Sequence, residues 1–282
     1  MRILGEDDLD FAVGLTVEEG WNYTPVEIGR MLELDPEGSF IYEDGGPLGF
    51  ITCITYGSTG VLGHLIVSRK ARRMKIGDAL MKSAVEYMEG RGVNSILLYA
   101  TVEGAKLYQR YGFTARDEVF CIHSKLVKGF SDRQSESCAV VDKKDLKEIS
   151  SIDRELFGDD RTRLLETLYE ACQSRAFKLE RDGRIQGYIF ARPDHVGFNL
   201  GPWVCLSGEA GDAEDLFSTM LSSLGNEGIL YWGVFLRNRE AMRFTEMLPK
   251  ARTWTIPMMI RGKGRYLSDI TKVFSLAAFE LG

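Results

Sequence analysis

Apolar and polar positions change period several times along this chain, and each change marks an element. Asp7 to Glu19 reads as a helix. Thr24-Pro25-Val26-Glu27 is a capping box with proline at the first helical position, opening a second helix that runs to about Leu34. Three runs rich in β-branched and aromatic residues follow, Ser39 to Glu43, Leu48 to Tyr56 and Val61 to Val67, separated by Asp44-Gly45-Gly46 and Gly57-Ser58-Thr59-Gly60. Short glycine turns between such runs predict a three-stranded antiparallel meander. From Lys75 to Glu89 the period lengthens: Ile76, Leu80, Ala84 and Met88 recur every fourth residue, and Gly90 and Gly92 stop the pattern, as expected of an amphipathic helix. Ile96 to Ala100 is a buried strand, Gly104 to Arg110 a short helix ended by Gly112, and Phe113 to Leu126 a final strand.

The second half repeats this order. Lys143 to Leu156 and Arg161 to Cys172 read as helices, then Phe177 to Arg181, Ile185 to Ala191 and Gly197 to Cys205 as strands, followed by helix, strand, helix, strand. Asp44 to Ile51 and Asp182 to Ile189 match locally, each a turn followed by a strand with an early glycine. Between the halves, Lys128 to Ser137 is polar and aperiodic, as an inter-domain linker would be. The expected architecture is α/β of the α+β type: tandem domains over residues 1–130 and 131–282, each a mostly antiparallel twisted mixed sheet flanked by helices.

Composition narrows the function more than the fold. With 44% hydrophobic and 27% charged residues, the chain is expected to be globular. Its longest apolar runs fall far short of the roughly 20 residues a bilayer span needs, and the acidic start Gly5-Glu6-Asp7-Asp8 is unlike a secretory signal, so a cytoplasmic location with no membrane partner is expected. A formal charge of −6 argues against a nucleic-acid partner. The five cysteines are scattered, with no C-x-x-C and no histidine at ligand spacing, so no metal site is expected.

The chemistry concentrates where the strand ending at Val67 breaks into a basic, glycine-containing loop and enters a helix. The first amides of a helix have no internal partners and lie at the positive end of its dipole, so a diphosphate there is held by main-chain donors. Gly77 and Ala79 are small enough to let phosphates approach, and Arg69, Lys70, Arg72, Arg73 and Lys75 supply cationic arms. No Gly-Lys-Ser/Thr follows, which excludes a P-loop. The expected cradle comprises Arg72, Arg73, Met74, Lys75, Ile76, Gly77, Asp78 and Ala79. Tyr108, with an ordinary pKa of about 10, is a proton donor near neutrality. His64 is the nearest titratable candidate for relaying an amine's proton, against the alternative of a satisfied structural histidine. Trp21, Asn22 and Tyr23 precede the capped helix as either a hydrophobic staple or part of a substrate wall.

The first half resembles the GNAT N-acetyltransferase superfamily, whose signature is a strand ending in Val followed by Q/R-x-x-G-x-G/A at a helix start. Here that signature is laid on Met74-Lys75-Ile76-Gly77-Asp78-Ala79, with Met74 where Arg or Gln is usual. Gly104-Ala-Lys-Leu-Tyr-Gln-Arg-Tyr-Gly-Phe113 is similar to the superfamily's Leu-Tyr-x-x-x-Gly-Phe segment. Gly20-Trp21-Asn22, Phe157-Gly158, Gly201-Pro202 and Met259-x-Arg261-Gly262 resemble a tandem-GNAT family with a divergent second domain. The resemblance implies acetyl-CoA as acyl donor, Tyr108 as the acid that protonates the leaving thiolate, and a strand pair that splays so that pantetheine pairs with backbone at Ile66 and Val67. Trp203, after Gly201-Pro202, reads as a packing residue, although the resemblance would also let it face the acceptor. The implied reaction is direct transfer to a primary amine of a small metabolite or peptide in a ternary complex, with a homodimer as one option for assembly. The second half offers Cys205-Leu-Ser-Gly-Glu-Ala-Gly-Asp212 in place of the basic loop and is expected to bind no CoA. A non-catalytic acyl-CoA sensor or interaction module is the competing reading.

Overall fold

A computed structural model describes residues 1–21, 23–127, 135–172, 174–207, 210–264 and 266–282. The chain forms two compact units that do not follow the linear halves. Unit 1 comprises Met1–Arg116, Met258–Arg265 and Phe279–Gly282; unit 2 comprises Asp117–Pro257 and Tyr266–Ala278. The division near residue 130 expected from the polar linker therefore describes connectivity, while the packed units cross it. Residues 128–134 of that linker lie outside the described residues.

Unit 1 starts with β1 (Arg2–Ile3), α1 (Leu9–Glu18), α2 (Pro25–Leu34), β2 (Phe40–Glu43), β3 (Pro47–Tyr56) and β4 (Thr59–Val67). It continues through α3 (Ile76–Gly90), β5 (Ser95–Tyr99), α4 (Val102–Arg110) and the start of β6 (Thr114–Lys125). The capping box holds α2: Thr24 accepts from the Glu27 amide, and the Glu27 carboxylate accepts from the Thr24 amide at 2.8 Å. A cap of this kind contributes about 1 kcal/mol. Strands β1 to β4 pair antiparallel in order, and β4 pairs parallel with β5. Alternation along β3 and β4 sends Ile51 and Leu62 to one face, where Ile76, Leu80, Ala84 and Met88 of α3 cover them. Phe50 and Ile66 point to the other face, against Ala12, Leu15 and Ile28 of α1 and α2.

Unit 2 holds most of β6 with β7 (Cys138–Val140), α5 (Leu146–Phe157), α6 (Thr162–Cys172), β8 (Ala176–Arg181), β9 (Arg184–Asp194) and β10 (Gly197–Cys205). Then come α7 (Ala210–Leu224), β11 (Ile229–Phe235), α8 (Arg239–Phe244), β12 (Lys250–Gly262) and β13 (Val273–Ser275). β7 to β10 form an antiparallel series, and β10 pairs parallel with β11. One long strand from each half, β6 and β12, serves the other unit over most or part of its length. Met258–Gly262 of β12 pairs with Tyr99–Ser95 of β5 in unit 1, and Val119–Lys125 of β6 pairs with Phe235–Ile229 of β11 in unit 2. A cross-strand partner more than a hundred residues away leaves no local trace in hydrophobic periodicity.

Candidate active site

The site in unit 1 begins where β4 and β5 part. Parallel pairing runs from Thr59 opposite Ser95 to Leu62 opposite Leu98 and stops, so Gly63 and Tyr99 are the first residues past the crotch of a fork. The cause lies on the other edge of β4. Thr52 pairs with Gly63 but Phe50 pairs with Ile66, so His64 and Leu65 together oppose Ile51. That extra residue is a β-bulge, and His64 takes its left-handed conformation with φ +46°. A bulge bends its strand and increases local twist, which turns Leu65, Ile66 and Val67 away from β5. Among the described residues no strand pairs with β4 or β5 inside the gap.

Beyond Val67 the chain turns through Ser68–Lys75 into α3. Arg72 is held in place: its guanidinium donates to the Val67 carbonyl at 3.2 Å and pairs with Glu19. Arg69 donates to the Glu18 carbonyl at 2.6 Å. Arg73 and Lys75 are exposed and have no ion-pair partner among the described residues. Both are left-handed, with φ +69° and +62°. No side chain caps α3, and the first bond of its ladder is Ala79 N to Lys75 O at 3.1 Å, which leaves the amides of Gly77 and Asp78 ahead of it. A Cβ at Gly77 would meet only Leu107 Cδ2 at 3.5 Å and Val67 Cγ2 at 3.9 Å, which are ordinary contacts. Packing within the protein therefore does not demand glycine at this position. Backbone conformation also shifts the register of the signature. The residue that wants glycine is the left-handed one, here Lys75, so Arg72, Lys75 and Gly77 fit the pattern better than Met74, Gly77 and Ala79. Met74 is 60% exposed, and Ile76 is buried in the core.

The candidate acid stands on α4, whose N-cap is Thr101, accepting from the Gly104 amide at 3.1 Å. The Tyr108 ring lies back over Gly104, where an added Cβ would come within 2.9 Å of Tyr108 Cε2. Tyr108 packs on Phe113 at 6.2 Å between ring centroids, and its hydroxyl has no hydrogen-bond partner among the described residues. Burial pushes its pKa up to about 12. Tyr111, by contrast, donates its hydroxyl to the Asp78 carbonyl at 2.8 Å. Arg110 pairs with the Asp78 carboxylate at 3.0 Å, tying α4 to the first turn of α3.

His64 is buried at the bulge. Thr52 Oγ1 shares a hydrogen bond with its Nδ1 at 2.9 Å, Nε2 has no partner, and burial lowers its pKa to about 3. It is a neutral imidazole across the working range, a poor match for a base. Tyr23 meets its ring edge-on at 4.3 Å. Trp21 is 40% exposed, and Asn22 lies outside the described residues. Trp203 is not a substrate-facing residue. It is fully buried in unit 2, stacked on Phe217 at 5.1 Å and flanked by Trp232, Phe244 and Phe274, because β10 turns that side chain into the aromatic core. Sequence reasoning missed Glu280, whose carboxylate accepts from the Tyr23 hydroxyl at 2.8 Å; a glutamate after an ordinary apolar stretch carries no motif. Among the described residues no cluster of metal-ligating side chains occurs, and no helix is long and apolar enough to cross a membrane.

In each unit the central parallel pair of a mixed sheet parts, and in unit 1 the strand β4 leads into a helix that no side chain caps. Models of the acetyltransferase (GNAT) domain match residues 35–115 and 149–275, and the chain belongs to that family, as a tandem acyltransferase with one domain in each half. It is 22% identical over 210 residues to the uncharacterized N-acetyltransferase YitH of Bacillus subtilis, covering 73% of each chain. A mycothiol acetyltransferase of Stackebrandtia nassauensis is 31% identical over 118 residues, covering 38% of this chain and 39% of that protein. Among solved structures, a Pyrococcus horikoshii protein assigned as an acetyltransferase superposes with TM-score 0.84 at 19% identity, covering 100% of this chain and 95% of that one. A tandem GNAT protein from the clavulanic acid biosynthesis pathway gives TM-score 0.62 at 15% identity, covering 94% and 98%.

Proposed function

We propose that unit 1 takes acetyl-CoA as acyl donor and transfers the acyl group directly to a primary amine of a small metabolite or peptide. The observation that carries this reading is the fork: β4 and β5 separate at Gly63 and Tyr99 on the same strand that leads into the bare amides of α3. The residues present fit the donor. The Gly77 and Asp78 amides, backed by the helix dipole and the unpaired Arg73 and Lys75, suit a diphosphate. The unpaired edge of β4 at Ile66 and Val67 suits an extended pantetheine that adds to the sheet as a strand would. When bound, the donor supplies a thioester carbonyl open to attack by a neutral amine.

The remaining chemistry belongs to the chain. Tyr108 Oη holds a proton that no protein acceptor claims, and its raised pKa keeps the hydroxyl protonated, so that it can donate to the sulfur as negative charge develops there. Tyr111 keeps its own proton in the bond to Asp78 and serves to fix α4. Unit 2 supports no second donor site in this reading, since the stretch after β10 offers no lysine or arginine. Calorimetry with coenzyme A, followed by free-thiol release from acetyl-CoA over a panel of amines, tests the reading. One molecule bound per chain and amine-dependent release are expected; no heat with coenzyme A overturns it.

A further inference from the structure

The segment Phe279–Gly282 belongs to unit 1 and lies at the crotch of the fork. Phe279 packs its ring on Tyr99 at 5.4 Å, and Tyr99 is the first residue of the β5 side past the last pair. Glu280 presses on Gly63, the first such residue of β4: a Cβ there would come within 2.7 Å of Glu280 Cβ and 3.2 Å of its Cα. The Tyr56 hydroxyl donates to the Leu281 carbonyl at 3.2 Å and holds the segment down. The Glu280 side chain is thereby fixed beside the bulge, on a residue 4% exposed, with the Tyr23 hydroxyl as its hydrogen-bond donor. No cation among the described residues pairs with it. A carboxylate taken out of water and given one neutral donor is costly unless a positive charge joins it. The Tyr23 ring also meets the buried His64 ring edge-on at 4.3 Å, and His64 Nε2 has no partner among the described residues.

We infer that Glu280 is the acceptor-binding carboxylate of unit 1, receiving the substrate's primary ammonium at the crotch of the fork and taking one proton from it. This rests on the proposed acyl-transfer reading of the same fork. Proton transfer from R–NH3⁺ to the carboxylate leaves a neutral amine and a protonated Glu280. The amine's lone pair then forms the C–N bond as the C–S bond breaks, the sulfur leaves with that electron pair, and the Tyr108 proton goes to it. The proton remaining on the new amide nitrogen and the one on Glu280 return to solvent and to the tyrosinate, so charge and atoms balance. The acceptor class is a cationic primary amine; an alcohol or thiol would leave the carboxylate without its counter-charge.

The test uses the full chain with acetyl-CoA and a panel holding a polyamine, an amino sugar, a peptide with a free N-terminus and hydroxyl analogues of each. Glu280→Gln keeps the shape and the Tyr23 contact while removing the charge. It is expected to lower kcat/KM for the amine by about 100-fold or more, with acetyl-CoA affinity held within about threefold. Glu280→Ala is expected to regain part of its turnover when formate is added, which a merely structural role would not give. A Glu280→Gln enzyme within about threefold of wild type overturns the inference, as does a loss that follows acetyl-CoA affinity or melting temperature alone. If wild type binds acetyl-CoA but neither acetylates nor is stabilised by any amine of the panel, Glu280 is not an ammonium site, and the donor reading stands by itself.

Discussion

The two units carry the same fork and fill it differently. In unit 1 the gap between β4 and β5 holds no strand among the described residues, and the loop beyond it ends in unpaired cations. In unit 2, β10 and β11 pair parallel only from Gly197 opposite Ile229 to Asn199 opposite Tyr231. A register shift then follows on the β9 side, between Leu200 and Trp203, as it does in β4. Here β13 enters: Trp203 pairs with Ser275, Val204 pairs with Val273, and the Leu276 amide donates to the Gly233 carbonyl of β11 at 3.2 Å. The chain's own backbone thus satisfies the strand edges that unit 1 leaves open. At the first turn of α7, Asp212 is paired with Arg181 at 2.7 Å. A repeated scaffold can keep its fold while a short strand of its own fills the gap between the parting strands.

The comparison can be broken at several points. Trp203 lies on the filled fork, and its truncation to Ala should cost unit 2 about 3–5 kcal/mol, read by denaturant unfolding. A small stability loss with altered acceptor kinetics would mean that the second fork is a ligand wall after all. Tyr108→Phe tests the open fork and should lower kcat by about 100- to 1000-fold with acetyl-CoA affinity unchanged; full turnover in that variant removes the acid. A matched pair comes next. Gly77 and Gly211 are each the second residue of their helix, α3 and α7, and a Cβ at either makes no close contact. Gly77→Glu should weaken coenzyme A binding by about 30- to 100-fold through repulsion at the diphosphate, whereas Gly211→Glu should leave it unchanged in calorimetry. Equal effects would make the two forks alike.

The smallest effect concerns the bulge itself. Burial lowers the His64 pKa from 6.5 to about 3, so between those values the unfolded chain binds a proton that the folded chain does not. Its contribution is complete above pH 6.5 and is lost as pH falls toward 3, at about 1.4 kcal/mol per pH unit. His64→Asn, which tolerates a left-handed residue, should flatten the slope of unfolding free energy by that amount near pH 5.5. An unchanged slope would mean that the imidazole is not desolvated.

What could be read from the sequence was what depends on neighbours in sequence. The Thr24–Glu27 box, the meander from Phe40 to Val67 and the α3 stripe of Ile76, Leu80, Ala84 and Met88 each follow from spacing, and each is present. The loop into α3 was found, but its register was not, because left-handed φ at Arg73 and Lys75 is invisible where no glycine marks it. The Thr101 cap lengthens α4 by two residues beyond the Gly104 start expected from the motif. Trp203 stays open between packing and a pocket wall in the sequence, because an aromatic beside Gly201-Pro202 has the same letters in both, and its burial makes it core. Glu280, β13 and the exchanged strands β6 and β12 depend on contacts between segments far apart in the chain, which no window of periodicity reports.

The exchanged strands also bear on synthesis. When the first 130 residues have left the ribosome, β5 has met β4 but not Met258–Gly262, so one of its edges stays unpaired while the rest of the polypeptide is made. Unit 1 must wait for the nascent chain to lengthen past Gly262 before its sheet is finished, and a fragment severed at the polar stretch would carry a bare, aggregation-prone edge in place of a folded transferase.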